Sequence, residues 1–206
     1  SAKMKDLEDM KAHNLLILFS LLIILSSCSW WYGVKRISGV DREACTTFAA
    51  KANLSGGCFS CISDVVDYKK YIHCDGGDSL LSHHLSQPVQ ILYFQGKQLV
   101  SYHVNCCAKG GLRGLNWNTG KRFDTFPPTS VIPTTDIPIT LDTLLHVYPQ
   151  LQMSEEKHYT IVLFWTNAFL KISEQAWNQI SSNIADNRSD CNVILINTDA
   201  FYANIF

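Results

Sequence analysis

Eight cysteines, at positions 28, 45, 58, 61, 74, 106, 107 and 191, are the residues of this 206-residue chain whose type and spacing best suit chemistry. Four are arranged symmetrically: Cys45, twelve residues, Cys58-Phe59-Ser60-Cys61, twelve residues, Cys74. Three chemistries fit that pattern. The first is a local disulfide network with the remaining thiols packed as small hydrophobes. The second is a thiol–disulfide oxidoreductase cycling Cys58 and Cys61. A redox CxxC, however, usually opens a helix, whose positive end lowers the thiol pKa. Here "SGGCFSCISD" reads as a Gly-rich loop leading to a helix cap at Ser63 or Asp64. The third is a zinc–thiolate site built from Cys45, Cys58, Cys61 and Cys74. A single CxxC is a weak zinc signal, because the other two ligands lack that spacing. No histidine follows Cys61, so c-type haem attachment is not indicated. Cys106 and Cys107 are adjacent; in a strand they face opposite sides, so one reads as core and the other as partner-seeking or free.

Other residue types offer less. His73, His83, His84, His103, His146 and His158 are scattered. The neighbours His83 and His84 splay about 100° apart on a helix, which makes them poor co-ligands. No HExxH or GxSxG motif occurs, and the glycines at 110, 111, 114 and 120 fit neither phosphate-binding pattern, so they read as turns. Seventeen basic against eighteen acidic residues give a net charge of −1. Without a concentrated basic face, nucleic acid is excluded as a partner. No cofactor is indicated, and Trp117 and Trp165 read as core.

The elements that must position these residues follow from pattern. Asp41 caps a helix over 42–52, a second helix covers 64–72, and a helical turn, "SLLSHHLS", stops before Pro88. Residues 89–106 read as a β-hairpin around Gln95-Gly96-Lys97. Both of its strands look central because both faces are apolar. Four prolines make 127–138 an extended connector, and Thr140 caps the amphipathic segment "LDTLLHVYPQL". Two near-continuous apolar runs, 159–166 and 192–198, read as buried strands joined by a helix over 172–186. That is a βαβ unit with parallel strands. The expected fold class is α+β, a mixed sheet with a central hairpin and a C-terminal βαβ unit.

The N-terminal stretch carries the first resemblance. Lys11 precedes the eleven-residue run Leu15 to Leu25, too short for a membrane span of about 20 residues and fitting a signal-peptide core. Leu25-Ser26-Ser27-Cys28 then resembles a bacterial lipobox. The resemblance implies cleavage before Cys28 and lipidation of its thiol, with residues 1–27 as signal peptide and 1–9 as upstream read-through before Met10. Residues 28–40 then form a lipidated tether, residues 41–138 an N-terminal α+β part, and residues 139–206 a βαβ part packed with it as one domain. The implied location is the bacterial envelope, lipid-anchored to the outer membrane and facing the periplasm. The implied partners are the lipid membrane and an envelope protein.

The second resemblance lies in "IVLFWTNAFLKI", residues 161–172, which is similar to the strand and strand-to-helix turn of thioredoxins. Phe164 and Trp165 match the end of that family's strand. Its two active-site cysteines fall on Phe169 and Ile172, which can neither attack nor resolve a disulfide. The family's later cis-proline and final hairpin have no counterpart after Asp199. The lipobox followed by "WYGVK", the "QPVQILYF" hairpin, "LNWN", "TFPP", "PITLDTLL", "VLFWT" and "INTDAFYANIF" resemble uncharacterised lipoproteins of gut Bacteroidota with a thioredoxin-like C-terminal part. The implied function is a non-catalytic binding or envelope-assembly role on a redox-inactive, truncated thioredoxin-like scaffold.

Overall fold

In the computed structural model, residues 34–52, 58–74, 79–107, 115–151, 153, 157–187 and 189–205 are described. The signal segment, the lipidation cysteine Cys28 and the tether as far as residue 33 lie outside them. So do Gly56, Gly57, Gly76, Gly77 and the glycines at 110, 111 and 114. Lys35–Phe206 forms one unit.

Helix α1, Arg42–Lys51, starts where Asp41 accepts a hydrogen bond from the Ala44 amide at 3.0 Å. Strand β1 follows at Cys58–Ile62. Asp64 caps α2, Val65–Ile72, by accepting from the Asp67 amide at 2.7 Å, and α3 spans Ser79–Leu85. Strands β2, Gln90–Gln95, and β3, Gln98–Val104, form the expected hairpin, turned at Gly96 with φ 54°. Thr140 and Thr143 form a reciprocal capping box that starts α4, Leu141–Val147. Strand β4 is Tyr159–Trp165, α5 is Leu170–Asn187, β5 is Cys191–Asn197, and the short α6 is Asp199–Tyr202.

The five strands lie in the order β1-β5-β4-β2-β3. β1, β5 and β4 run parallel; β2 and β3 run antiparallel to their neighbours. The fold is therefore α+β with a mixed sheet, a hairpin and a β4-α5-β5 unit.

Alternation along each strand sends residues to two cores. Leu92, Phe94, Val162, Phe164, Ile194 and Ile196 pack with α2, α3, α4 and α6 on one face. Ile91, Tyr93, Ile161, Leu163, Trp165 and Leu195 pack with α1 and α5 on the other. Trp165 stacks on Phe48 of α1 with ring centroids 4.0 Å apart, and Trp117 is buried in the same core.

Three sequence expectations are corrected. The Cys58–Cys61 segment is an edge strand, not a loop, because its backbone pairs with β5 across five residues. Cys106 lies in a 3-10 turn, Asn105–Cys107, and not in a strand. Only β2 of the hairpin is interior. β3 is an edge strand, and the proline-rich connector closes its outer side: Tyr102 N–H donates to Ser130 Oγ at 3.0 Å and Val131 N–H donates to the Tyr102 carbonyl at 3.0 Å. The apolar faces of β3 reflect packing from above and below the sheet, which a strand at an edge experiences as much as a central one.

Candidate functional site

The turn after β4 is where the thioredoxin resemblance places chemistry. The chain here makes a 3-10 turn, Asn167–Phe169, before entering α5. Asp199, fully buried at the start of α6, holds that turn. Its carboxyl oxygens accept from the Thr166 hydroxyl at 2.7 Å, the Asn167 amide at 2.7 Å and the Asn167 side-chain amide at 2.6 Å. Ser173 adds a second clasp, its hydroxyl donating to the Thr166 carbonyl at 3.2 Å. Lys35 N–H donates to the Ala168 carbonyl at 2.8 Å, so the segment entering the fold also ties down the turn. Ile172 is buried and Phe169 half-buried against both cores. Thr166, Asn167 and Ser173, the polar residues of the turn and the start of α5, are engaged in holding the backbone.

Beside this turn, a cavity of about 320 Å³ opens at the carboxyl ends of β1, β5 and β4, under α1. The chain leaves β4 toward the α5 face and leaves β1 and β5 toward the opposite face. Such divergence of connections leaves a crevice at the strand ends, the usual ligand position in sheets with parallel strands. Arg42, Cys45 and Ala49 of α1 form its roof, and Ser60, Trp165 and Asn197 its floor and wall. Asn197 is 1% exposed. Its Oδ1 accepts from the Asp199 amide at 3.1 Å, while its Nδ2 has no hydrogen-bond partner.

Of the sequence-selected thiols, Cys45 and Cys61 both line the cavity under α1 without being bonded to each other, whereas Cys58 and Cys61 do not converge. Cys58 packs on the α1/α5 face and Cys61 on the opposite face of the sheet. Three residues of extended strand separate their Cα atoms by about 10 Å, beyond the roughly 7 Å a disulfide spans. Cys45, Cys58, Cys61 and Cys191 are all thiols. Among the described residues no three His, Cys, Asp or Glu side chains converge for a metal, so Cys45, Cys58, Cys61 and Cys74 do not form the zinc arrangement. Burial pushes the Cys45 thiol up to about 11, with the nearby Asp199 and Asp41 adding to the rise and Arg42 opposing it. Burial raises Cys61 to about 12, partly offset by a hydrogen bond with Gln150, and raises Cys58 as well. All three stay protonated, and so weakly nucleophilic, at neutral pH.

The remaining sequence candidates are dispersed. Cys74 is exposed. Cys106 is exposed and sits 3.9 Å from His84 Nδ1. His103 alone among the histidines considered is in the core, its Nε2 2.9 Å from Ser101 Oγ. Sequence reasoning missed Asp199, Asn197 and Arg42 as site residues. The signal available was "INTDAF", in which three polar residues follow a buried strand and precede a helix; nothing in the sequence joins that stretch to Arg42.

Comparison with known proteins adds no relative: no protein family, no curated protein and no solved structure matches the chain.

Proposed function

We propose that this chain is a non-catalytic binding or envelope-assembly protein on a redox-inactive thioredoxin-like scaffold, held to a bacterial membrane by lipid on Cys28. The observation that carries the reading is the turn after β4. Where a dithiol would have to react stand Phe169 and Ile172, and the polar groups of Thr166 and Asn167 just before them are taken up by the Asp199 clasp. Supporting it, β2 lies antiparallel along β4. A hairpin that the resemblance expects after the βαβ unit is thus supplied from before it. The cavity under α1 gives the scaffold a place to bind.

Two measurements test this. In an insulin-reduction assay with dithiothreitol, the purified chain is expected to give the uncatalysed rate; activity that disappears in Cys58→Ser or Cys61→Ser overturns the non-catalytic reading. In bacteria fed an alkyne fatty acid, the chain is expected to become labelled and to lose the label in Cys28→Ala; an unlabelled chain in the membrane fraction overturns the anchor.

A further inference from the structure

We infer that the edge strand β1 takes an extended, uncharged segment of a partner polypeptide as a sixth strand of the sheet, with one apolar side chain of that segment entering the cavity under α1. The inference rests on the reading of this chain as a binding protein and adds the chemical class of what it binds and the surface that binds it.

The first observation is an open hydrogen-bonding edge. Ser63 N–H donates to the Asn197 carbonyl at 2.8 Å, which turns Ser63 toward β5. Alternation along the strand then turns Phe59 and Cys61 the same way and directs the N–H and C=O groups of Cys58, Ser60 and Ile62 outward. Among the described residues no backbone group bonds them. The opposite edge differs, because Ser130 and Val131 already bond to Tyr102 of β3. The five residues of β1 include no charge and no proline, and their pairing with β5 has no bulge, so the usual devices that keep an edge from pairing are missing.

The second observation is a groove along that edge. Thr46 of α1 and Ser60 of β1 are exposed, and both line the cavity of about 320 Å³. Its mouth therefore lies between the helix and the edge strand, over a floor of buried Trp165 and Leu195. Ser60 shares the alternation of Cys58, which packs on the α1 face, while Phe59 and Cys61 pack on the other. A residue paired directly with Ser60 sends its side chain the same way, under α1. Added strands are recognised in this manner, by main-chain hydrogen bonds for affinity and pockets for alternate side chains for specificity.

The third observation is charge. At the Cys45 thiol on the roof, the Asp199 and Asp41 carboxylates outweigh the Arg42 guanidinium. An acidic side chain is repelled there, and a basic one would lose its hydration against Trp165 and Leu195. A neutral side chain meets neither cost.

The test uses acetylated heptapeptides "KTTXTTK" with valine or aspartate at X, titrated to about 1 mM into the isotopically labelled chain and read by NMR. The valine peptide is expected to shift the Ser60 and Ile62 amides and the Trp165 indole, and to bind at least about tenfold more tightly than the aspartate peptide. Methylating the backbone nitrogen of that valine should abolish binding while keeping the side chain. Ser60→Pro should do the same with the fold intact, since the N–H it removes points away from β5. Should that variant fail to fold, the methylated peptide carries the test, because it leaves the protein unaltered. No shift at Ser60 and Ile62, equal binding of the methylated or the aspartate peptide, or shifts confined to another face overturns the inference. So do Ser60 and Ile62 shifts that follow protein concentration without peptide, which would place a second copy of the chain on the edge. Dithiol activity in the insulin assay would sink the non-catalytic reading without altering these titrations, so the two failures are distinguishable.

Discussion

The two halves of the one sheet treat buried polar groups differently. In the antiparallel half, Gln90 at the start of β2 has its whole amide satisfied. Its Oε1 accepts from Tyr71 at 2.8 Å and Tyr102 at 3.0 Å, and its Nε2 donates to the Leu85 and Gln87 carbonyls at 2.7 and 2.8 Å. His103 is likewise matched with Ser101. In the parallel half, Asp199 closes the turn after β4, but Asn197 next to it leaves its buried Nδ2 without a partner. A closed network fixes packing, while an open position leaves a buried donor unsatisfied. The contrast teaches that burial of polar residues alone does not mark a site. Nor does an unmet hydrogen bond alone, since Trp117 in the core also leaves its Nε1 without a partner.

The largest effect is expected where the clasp is removed. Asp199→Ala strands the Thr166 hydroxyl and both Asn167 donors in the core. It should cost about 3–5 kcal/mol in urea unfolding, and a loss under about 1 kcal/mol would show that the turn is held by its apolar contacts instead. Gln90→Leu attacks the closed half. It orphans the buried Tyr71 hydroxyl, since Tyr102 retains the His84 carbonyl at 3.1 Å, and should cost about 2–3 kcal/mol.

A smaller effect follows from His103. Burial, reinforced by Arg122, holds its folded-state pKa down at about 3, against about 6.5 in the unfolded chain. As pH falls below about 6.5, the unfolded chain takes up a proton that the folded chain refuses. Stability then drops by up to about 1.4 kcal/mol per pH unit, and above that pH the group contributes no slope. Urea midpoints between about pH 7 and pH 5 should show this decline, and His103→Gln should flatten it; an unchanged slope means that another group titrates. Smallest of all, Arg42→Gln should leave stability within about 0.5 kcal/mol, because an exposed side chain without an ion pair contributes little. A larger loss would place Arg42 in the folding core rather than at a binding site.

Much of the fold was legible because local signals agreed. Asp41, Asp64 and Thr140 cap helices as expected, and the apolar runs at 159–166 and 192–198 are interior parallel strands. β1 was not legible, since two cysteines, a serine and preceding glycines carry turn chemistry, and only pairing with β5 makes that segment extended. The CxxC spacing misled for the same reason. Cys58 and Cys61 would be neighbours at the start of a helix, but in a strand they face opposite cores.

By itself the sequence determined the helix caps, the hairpin, the βαβ unit and the hydrocarbon at Phe169 and Ile172, because each depends on residues within one or two turns of chain. Only the tertiary structure decided that β2 lies along β4, that Asp199 reaches back to the turn before α5, and that Arg42 and Asn197 share a cavity. Those contacts join residues 32 or more positions apart, and the core packing that closes such distances depends on the whole sheet rather than on any local pattern.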